Sequence, residues 1–147
     1  MTTVSLHPAI ELVASRIRDD LVGGAADMAR ETAAAMAQAA RESKAATTAG
    51  YTAEFKRAAR AILEVSPSIA PVTNLLHRLG TEVEGAAPDA PAAAVRERVA
   101  ARADSFGEEL STALQKIAEI GAATIRDGDK LFMYSMSSTV WRMIRSA

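Results

Sequence analysis

Ser137, Ser138 and Thr139 stand in a row between a short apolar run, Leu131-Phe132-Met133-Tyr134, and a helical apolar face made of Val140, Trp141, Met143 and Ile144. Hydroxyl side chains where a strand turns into a helix can cap that helix. Backbone N–H groups and the helix dipole at the same place favour an anion such as a phosphate. The commoner use of such residues is the cap alone. Other constellations offer less. His7 and His77 are the only histidines, far apart and without a partner four residues away, so no metal site is expected. Glu108-Glu109 and Asp127/Asp129 place carboxylates close together, but charge on a helix face or in a turn is ordinarily solvated. Arg96, Arg98 and Arg102 with Glu97 form a mixed charged face of the salt-bridge kind. Met28 and Met36 read as gap-fillers. No glycine-rich phosphate loop of the Gly-x-x-x-x-Gly-Lys or Gly-x-Gly-x-x-Gly type occurs, and no cofactor is expected.

Cysteine is absent, which removes disulfides, thiolate metal sites and cysteine nucleophiles together and mildly favours a reducing, cytoplasmic setting. Seventeen basic and eighteen acidic residues give a net charge of -1, so charge gives no push toward nucleic acid or an anionic membrane. The chain lacks an apolar run of the roughly 18 residues that span a bilayer, and Met1-Thr2-Thr3-Val4-Ser5 does not resemble a signal peptide. Its 147 residues, 33 of them alanine, fit one domain rich in helix.

The elements follow from periodicity. Pro8 suits the first turn of a helix, and Ile10, Val13, Ile17 and Leu21 share one face of it. Gly23-Gly24 breaks the chain at a cost of roughly 2 kcal/mol inside a helix. A second helix is predicted over 25–42, with Met28, Thr32, Met36 and small alanines on its inner face. After a small-residue linker, 43–50, Thr52 is expected to cap a helix reaching about Val65, with Phe55, Ala59, Ile62 and Leu63 inward. Pro71 opens a short helix with Val72, Leu75, Leu76 and Leu79 on one side and Gly80 as its C-cap. Residues 85–91 read as an exposed loop. A long helix over about 92–126 carries Val95, Val99, Phe106, Leu110, Leu114, Ile117 and Ile120 as a stripe, and would serve as bundle core or as an oligomer contact. Asp127-Gly128-Asp129 is a turn signal. Leu131–Tyr134 then read as a strand buried on both faces, Ser135–Thr139 as a turn and 140–147 as a helix. The fold class expected is therefore mostly α: an N-terminal helical bundle over 1–127, followed at 128–147 by the first strand, turn and helix of a truncated Rossmann-like α/β domain.

Three segments together carry a family resemblance. They are Gly23-Gly24-Ala25-Ala26-Asp27-Met28-Ala29, then Val65-Ser66-Pro67-Ser68-Ile69-Ala70-Pro71, then Ala118-Glu119-Ile120-Gly121-Ala122 with Asp127-Gly128-Asp129 and Tyr134-Ser135-Met136-Ser137-Ser138-Thr139-Val140. In order and spacing the chain resembles the alpha, beta and delta subunits of eukaryotic initiation factor 2B. That family also holds ribose-1,5-bisphosphate and methylthioribose-1-phosphate isomerases. The resemblance covers the first half of a typical member. It implies a helical N-terminal domain, a Rossmann-like C-terminal domain and a homo-oligomer, a dimer formed mainly through the C-terminal domain. In the isomerases a sugar phosphate lies between the domains, beside the Gly-Ala loop, an Arg-Pro-Ser/Thr segment and the turn after the first strand. Carried onto this chain, the ligand or phosphate-binding candidates are Gly23, Gly24, Ala25, Ser66, Pro67, Ser68, Ser135, Ser137, Ser138 and Thr139.

Two departures follow from the same comparison. Ser135 stands where the isomerases keep a cysteine, and a serine hydroxyl is a far weaker acid than a thiol. Ser66 stands in place of an arginine, which removes a bidentate phosphate donor. The family's catalytic aspartate would lie beyond Ala147. The resemblance with these departures points to a non-catalytic regulatory or binding protein of the initiation factor 2B type, with a sugar phosphate or nucleotide as ligand and room for a protein partner. The alternatives are an isomerase relative that uses different residues, and a helical oligomerisation domain with the long helix from Ala92 as its contact.

Overall fold

The computed structural model describes residues 5–19, 23–134 and 137–147. Six helices follow one another: α1 (Pro8–Asp19), α2 (Ala25–Glu42), α3 (Thr48–Val65), α4 (Ala70–Glu84), α5 (Ala92–Ala122) and α6 (Ser138–Ser146). The two central helices, α2 and α5, lie along each other. Alanine is prominent among their buried residues: Ala29, Ala33, Ala37 and Ala40 of α2, and Ala100 and Ala103 of α5. Small side chains on the facing ridges let two helix axes approach closely. Around this pair, α1 packs on α2 and α3, and α4 packs on α2 and α5. The larger core side chains, Ile10, Ile62, Val72, Leu75, Leu79, Val95 and Val99, fill the space between them.

The break at Gly23-Gly24 and the extent of α2 match the sequence reading. Other boundaries differ. Helix α3 starts four residues before Thr52, because Thr47 takes the capping role: its Oγ1 accepts from the Gly50 N–H at 3.1 Å. Thr52 sits inside the helix and donates to the Thr48 carbonyl at 2.8 Å. Leu63, expected inward, is exposed. Helix α4 runs through Gly80, where a Cβ would rest 3.9 Å from the Phe55 ring, an ordinary contact. It ends instead at Gly85, whose N–H donates to the Thr81 carbonyl. Helix α5 ends at Ala122, short of Arg126: Thr124 N–H turns back to Gly121 O and Ile125 N–H to Ala122 O, the tighter pattern that commonly closes a helix. In the long stripe, Val95, Val99, Phe106 and Leu114 are buried, whereas Ile117 and Ile120 are exposed. Phe106 is a core side chain with the Arg78 guanidinium over its ring at 5.5 Å.

The Asp127-Gly128-Asp129 turn is present. Gly128 adopts φ +84°, a conformation glycine reaches without steric cost, and Asp129 Oδ2 accepts from the Arg126 N–H at 2.8 Å. The strand expected over Leu131–Tyr134 is not formed, and among the described residues the chain is all helical. Phe132 is 90% and Tyr134 95% exposed. A strand is made by its neighbour, because its N–H and C=O groups are satisfied only by an adjacent strand, and the described residues hold no second one. The helix expected after it is present as α6 and lies against α5, touching α2. Met143 of α6 packs so close to Gly121 of α5 that a Cβ there would overlap its Sδ.

Candidate functional site

Helix α2 opens at Gly24 without a capping side chain, so the first N–H groups of the helix look for an acceptor outside it. Helix α6 opens at Ser137. There the side-chain Oγ accepts from the Val140 N–H at 3.4 Å and the main-chain carbonyl accepts from the Trp141 N–H at 2.8 Å. The two openings meet. A Cβ on Gly24 would overlap Ser138 Oγ and lie 2.8 Å from Ser138 Cβ. The absence of a side chain at position 24 is therefore what lets the first turns of two helices sit side by side. Each contributes partial positive charge from its macrodipole.

Side-chain charge at this junction is arranged around one carboxylate. Asp27, in the first turn of α2, receives Arg30 at 2.9 Å from its own helix and Arg142 at 3.5 Å from α6. All three are partly solvent-exposed. A carboxylate flanked by two guanidiniums and two helix N-termini occupies surroundings suited to an anion.

The candidates named from the sequence divide into three groups. Gly24 at the start of α2 and Ser138 at the start of α6 meet at the junction, with Gly23 and Ala25, and Ser137 and Thr139, as their chain neighbours. Ser137 serves as a cap, the simpler of the two roles considered for it. Ser66, Pro67 and Ser68 lie at the turn between α3 and α4. Ser66 is buried, and its hydroxyl donates to the Ile62 carbonyl at 2.6 Å, whereas Pro67 and Ser68 are exposed. The main-chain bonds of Ser66 run to Leu63 and Ile69, so its polar groups are engaged within the turn itself. Ser135 lies outside the described residues. Sequence reasoning missed Asp27, Arg30 and Arg142. The only signal available was the i, i+3 spacing of Asp27 and Arg30, since Arg142 is 115 positions from Asp27.

His7 is bonded locally. Its Nδ1 accepts from the Ala9 N–H at 3.2 Å and its Nε2 lies 3.0 Å from Glu42 Oε2; the Ala9 bond places the ring proton on Nε2, which then donates to the carboxylate. Among the described residues no group of three or more His, Asp or Glu side chains is placed to hold a metal, and no helix is long and apolar enough to cross a membrane.

An all-helical bundle that brings a glycine-opened helix and a hydroxyl-capped helix together at their N-termini defines the class of domain. Comparison of sequences sets its lineage: residues 21–147 match the model of the initiation factor 2 subunit family, and the chain belongs to that family. It is 29% identical over 147 residues to ribose 1,5-bisphosphate isomerase of Haloferax volcanii, covering 97% of this chain and 43% of that one. It is 30% identical over 135 residues to a putative translation initiation factor eIF-2B subunit 2-like protein of Pyrococcus furiosus, covering 92% and 44%. A ribose 1,5-bisphosphate isomerase of Thermococcus kodakarensis is 27% identical over 136 residues, covering 92% and 42%. The chain thus spans less than half the length of these curated relatives.

Proposed function

We propose that this chain supplies the helical wall of a site for a phosphorylated sugar or nucleotide, in a protein that binds this ligand as a regulatory member of its family and does not turn it over. The observation that carries the reading is the meeting of the α2 and α6 openings at Gly24 and Ser138, with Arg30 and Arg142 beside them. A phosphate placed there would accept from the opening N–H groups of α2 and from the Ser138 hydroxyl, and would draw the two guanidiniums away from Asp27. Relatives named as ribose 1,5-bisphosphate isomerases support a pentose phosphate as the ligand class. The non-catalytic part of the reading rests on Ser135. At the position where the resemblance places a thiol, a serine hydroxyl is too weak an acid for the proton transfers of an aldose–ketose isomerisation.

Calorimetric titration with ribose 1,5-bisphosphate tests the binding, and NMR observation of the same sugar tests the chemistry. Saturable heat with ribose 1,5-bisphosphate and none with ribose is expected, together with no formation of the ribulose isomer. No heat would remove the ligand. Turnover would show that the protein is an isomerase using residues other than a thiol at position 135.

A further inference from the structure

A second site lies at the other end of α2, about 27 Å from Gly24 at 1.5 Å per residue. The N-terminus of α1, the C-terminus of α2 and the first half of α3 line a cavity of about 330 Å³ that is open to solvent on one side. Its walls are largely apolar: Leu6, Ile10, Met36, Phe55 and Ala58 line it. Polar and charged side chains share the lining, and several of them are paired. Ser43 Oγ donates to Glu54 Oε2 at 2.6 Å, and His7 Nε2 donates to Glu42 Oε2 at 3.0 Å. Tyr51 is the one buried residue among the cavity's polar groups that lack such a partner. It borders the cavity and is only 4% exposed, and its hydroxyl makes no hydrogen bond to another described residue. Among those residues no side-chain polar atom is both fully enclosed and unpaired. The small exposed part of Tyr51 therefore includes its hydroxyl oxygen, on a residue that borders the cavity. A hydroxyl held at an apolar wall gains from an acceptor placed within reach. Burial, reinforced by the nearby Glu54 charge, pushes the Tyr51 phenol well above its ordinary range. The group is thus a neutral O–H donor at any physiological pH.

We infer that this cavity binds a small, uncharged, ring-bearing molecule whose carbonyl oxygen accepts a hydrogen bond from the Tyr51 hydroxyl. Size and charge each contribute to that choice. A cavity of about 150 Å³ is enough to hold benzene, so about 330 Å³ gives room for a substituted ring. Clefts that bury small ligands are of this kind, apolar with one or two fixed polar groups. Around the rim Lys44 and Arg57 balance Glu42 and Glu54, so nothing favours a ligand of net charge. The site lies away from the Gly24–Ser138 junction and stands whether or not that junction binds phosphate.

Benzamide is the probe and toluene its counterpart without an acceptor, each titrated into isotope-labelled protein and followed by amide NMR. Saturable shifts from benzamide are expected at His7, Met36, Tyr51 and Phe55. Tyr51→Phe keeps the ring and the fold, and should weaken benzamide roughly five-fold, the value of one neutral hydrogen bond, while leaving toluene unchanged. Ala39→Leu, which fills the cavity, should abolish the binding of both. Absence of saturable shifts at these residues would overturn the site. Unchanged benzamide affinity in Tyr51→Phe, or an equal loss for toluene, would overturn the hydrogen bond that defines the ligand class.

Discussion

Gly24 has an ordinary backbone, with φ −79°, so it is glycine for room and not for conformation. The room is taken by Ser138. Gly24→Ala should therefore act as overpacking, which costs about 1–3 kcal/mol, and should lower the urea midpoint accordingly. Ser138→Gly in the same chain should recover most of the loss, since two groups in contact couple strongly in a double-mutant cycle. An unchanged midpoint in the single variant would mean that the two helix openings do not touch. Ser66 illustrates the opposite situation. Its sequence position suggested a ligand contact, yet its hydroxyl is spent on the Ile62 carbonyl. Back-bonding of a hydroxyl to the carbonyl four residues earlier is a general habit of serine in helices, and it is invisible in a list of residue types. Asp27 and the two arginines that meet on it were equally hidden, because one of them comes from the far end of the chain.

Helix α6 joins the bundle without burying any of its residues. It leans on α5 through Met143 against Gly121 and on α2 through Ser138 against Gly24, with the exposed Arg142–Asp27 pair adding little. Elements with few buried contacts open at lower free energy than the core. Trp141, the only tryptophan, reports on this helix alone. In urea its fluorescence should change before the far-UV circular dichroism that follows the other helices. Coincident transitions would show that α6 is part of the cooperative core. The elements themselves were largely legible in the sequence. Gly23-Gly24 marked the start of α2 because two adjacent glycines are costly in a helix. The start of α3 was misplaced because Thr47 and Thr52 are both competent caps, and only the packing of Tyr51 and Phe55 into the core decides between them. Leu131–Tyr134 misled for a deeper reason. An apolar run signals burial, but whether it becomes a strand depends on a neighbour, which is not a property of the run.

At the scale of the whole molecule, the bundle brings the opening of α2 and the opening of α6 to one place, although Gly24 lies near the start of the sequence and Ser138 near its end. The long α5 does this. It runs beside α2 for much of its length and then supports α6 on its C-terminal part. The exposed Ile120, Leu131, Phe132, Tyr134 and Trp141 also belong to this C-terminal part of the chain. The candidate site is thus a product of the fold: its glycines and hydroxyls could be picked from the sequence, but their pairing, and the arginines beside them, required the packing of three helices. Its function is most directly tested by amide-resolved NMR of the labelled chain titrated with ribose 1,5-bisphosphate, with ribose as the control. Saturable shifts centred on Gly24, Ala25, Ala26, Ser138 and Thr139 are expected with the bisphosphate and none with ribose. Shifts centred elsewhere on the bundle, or no saturable shift at all, would contradict that function.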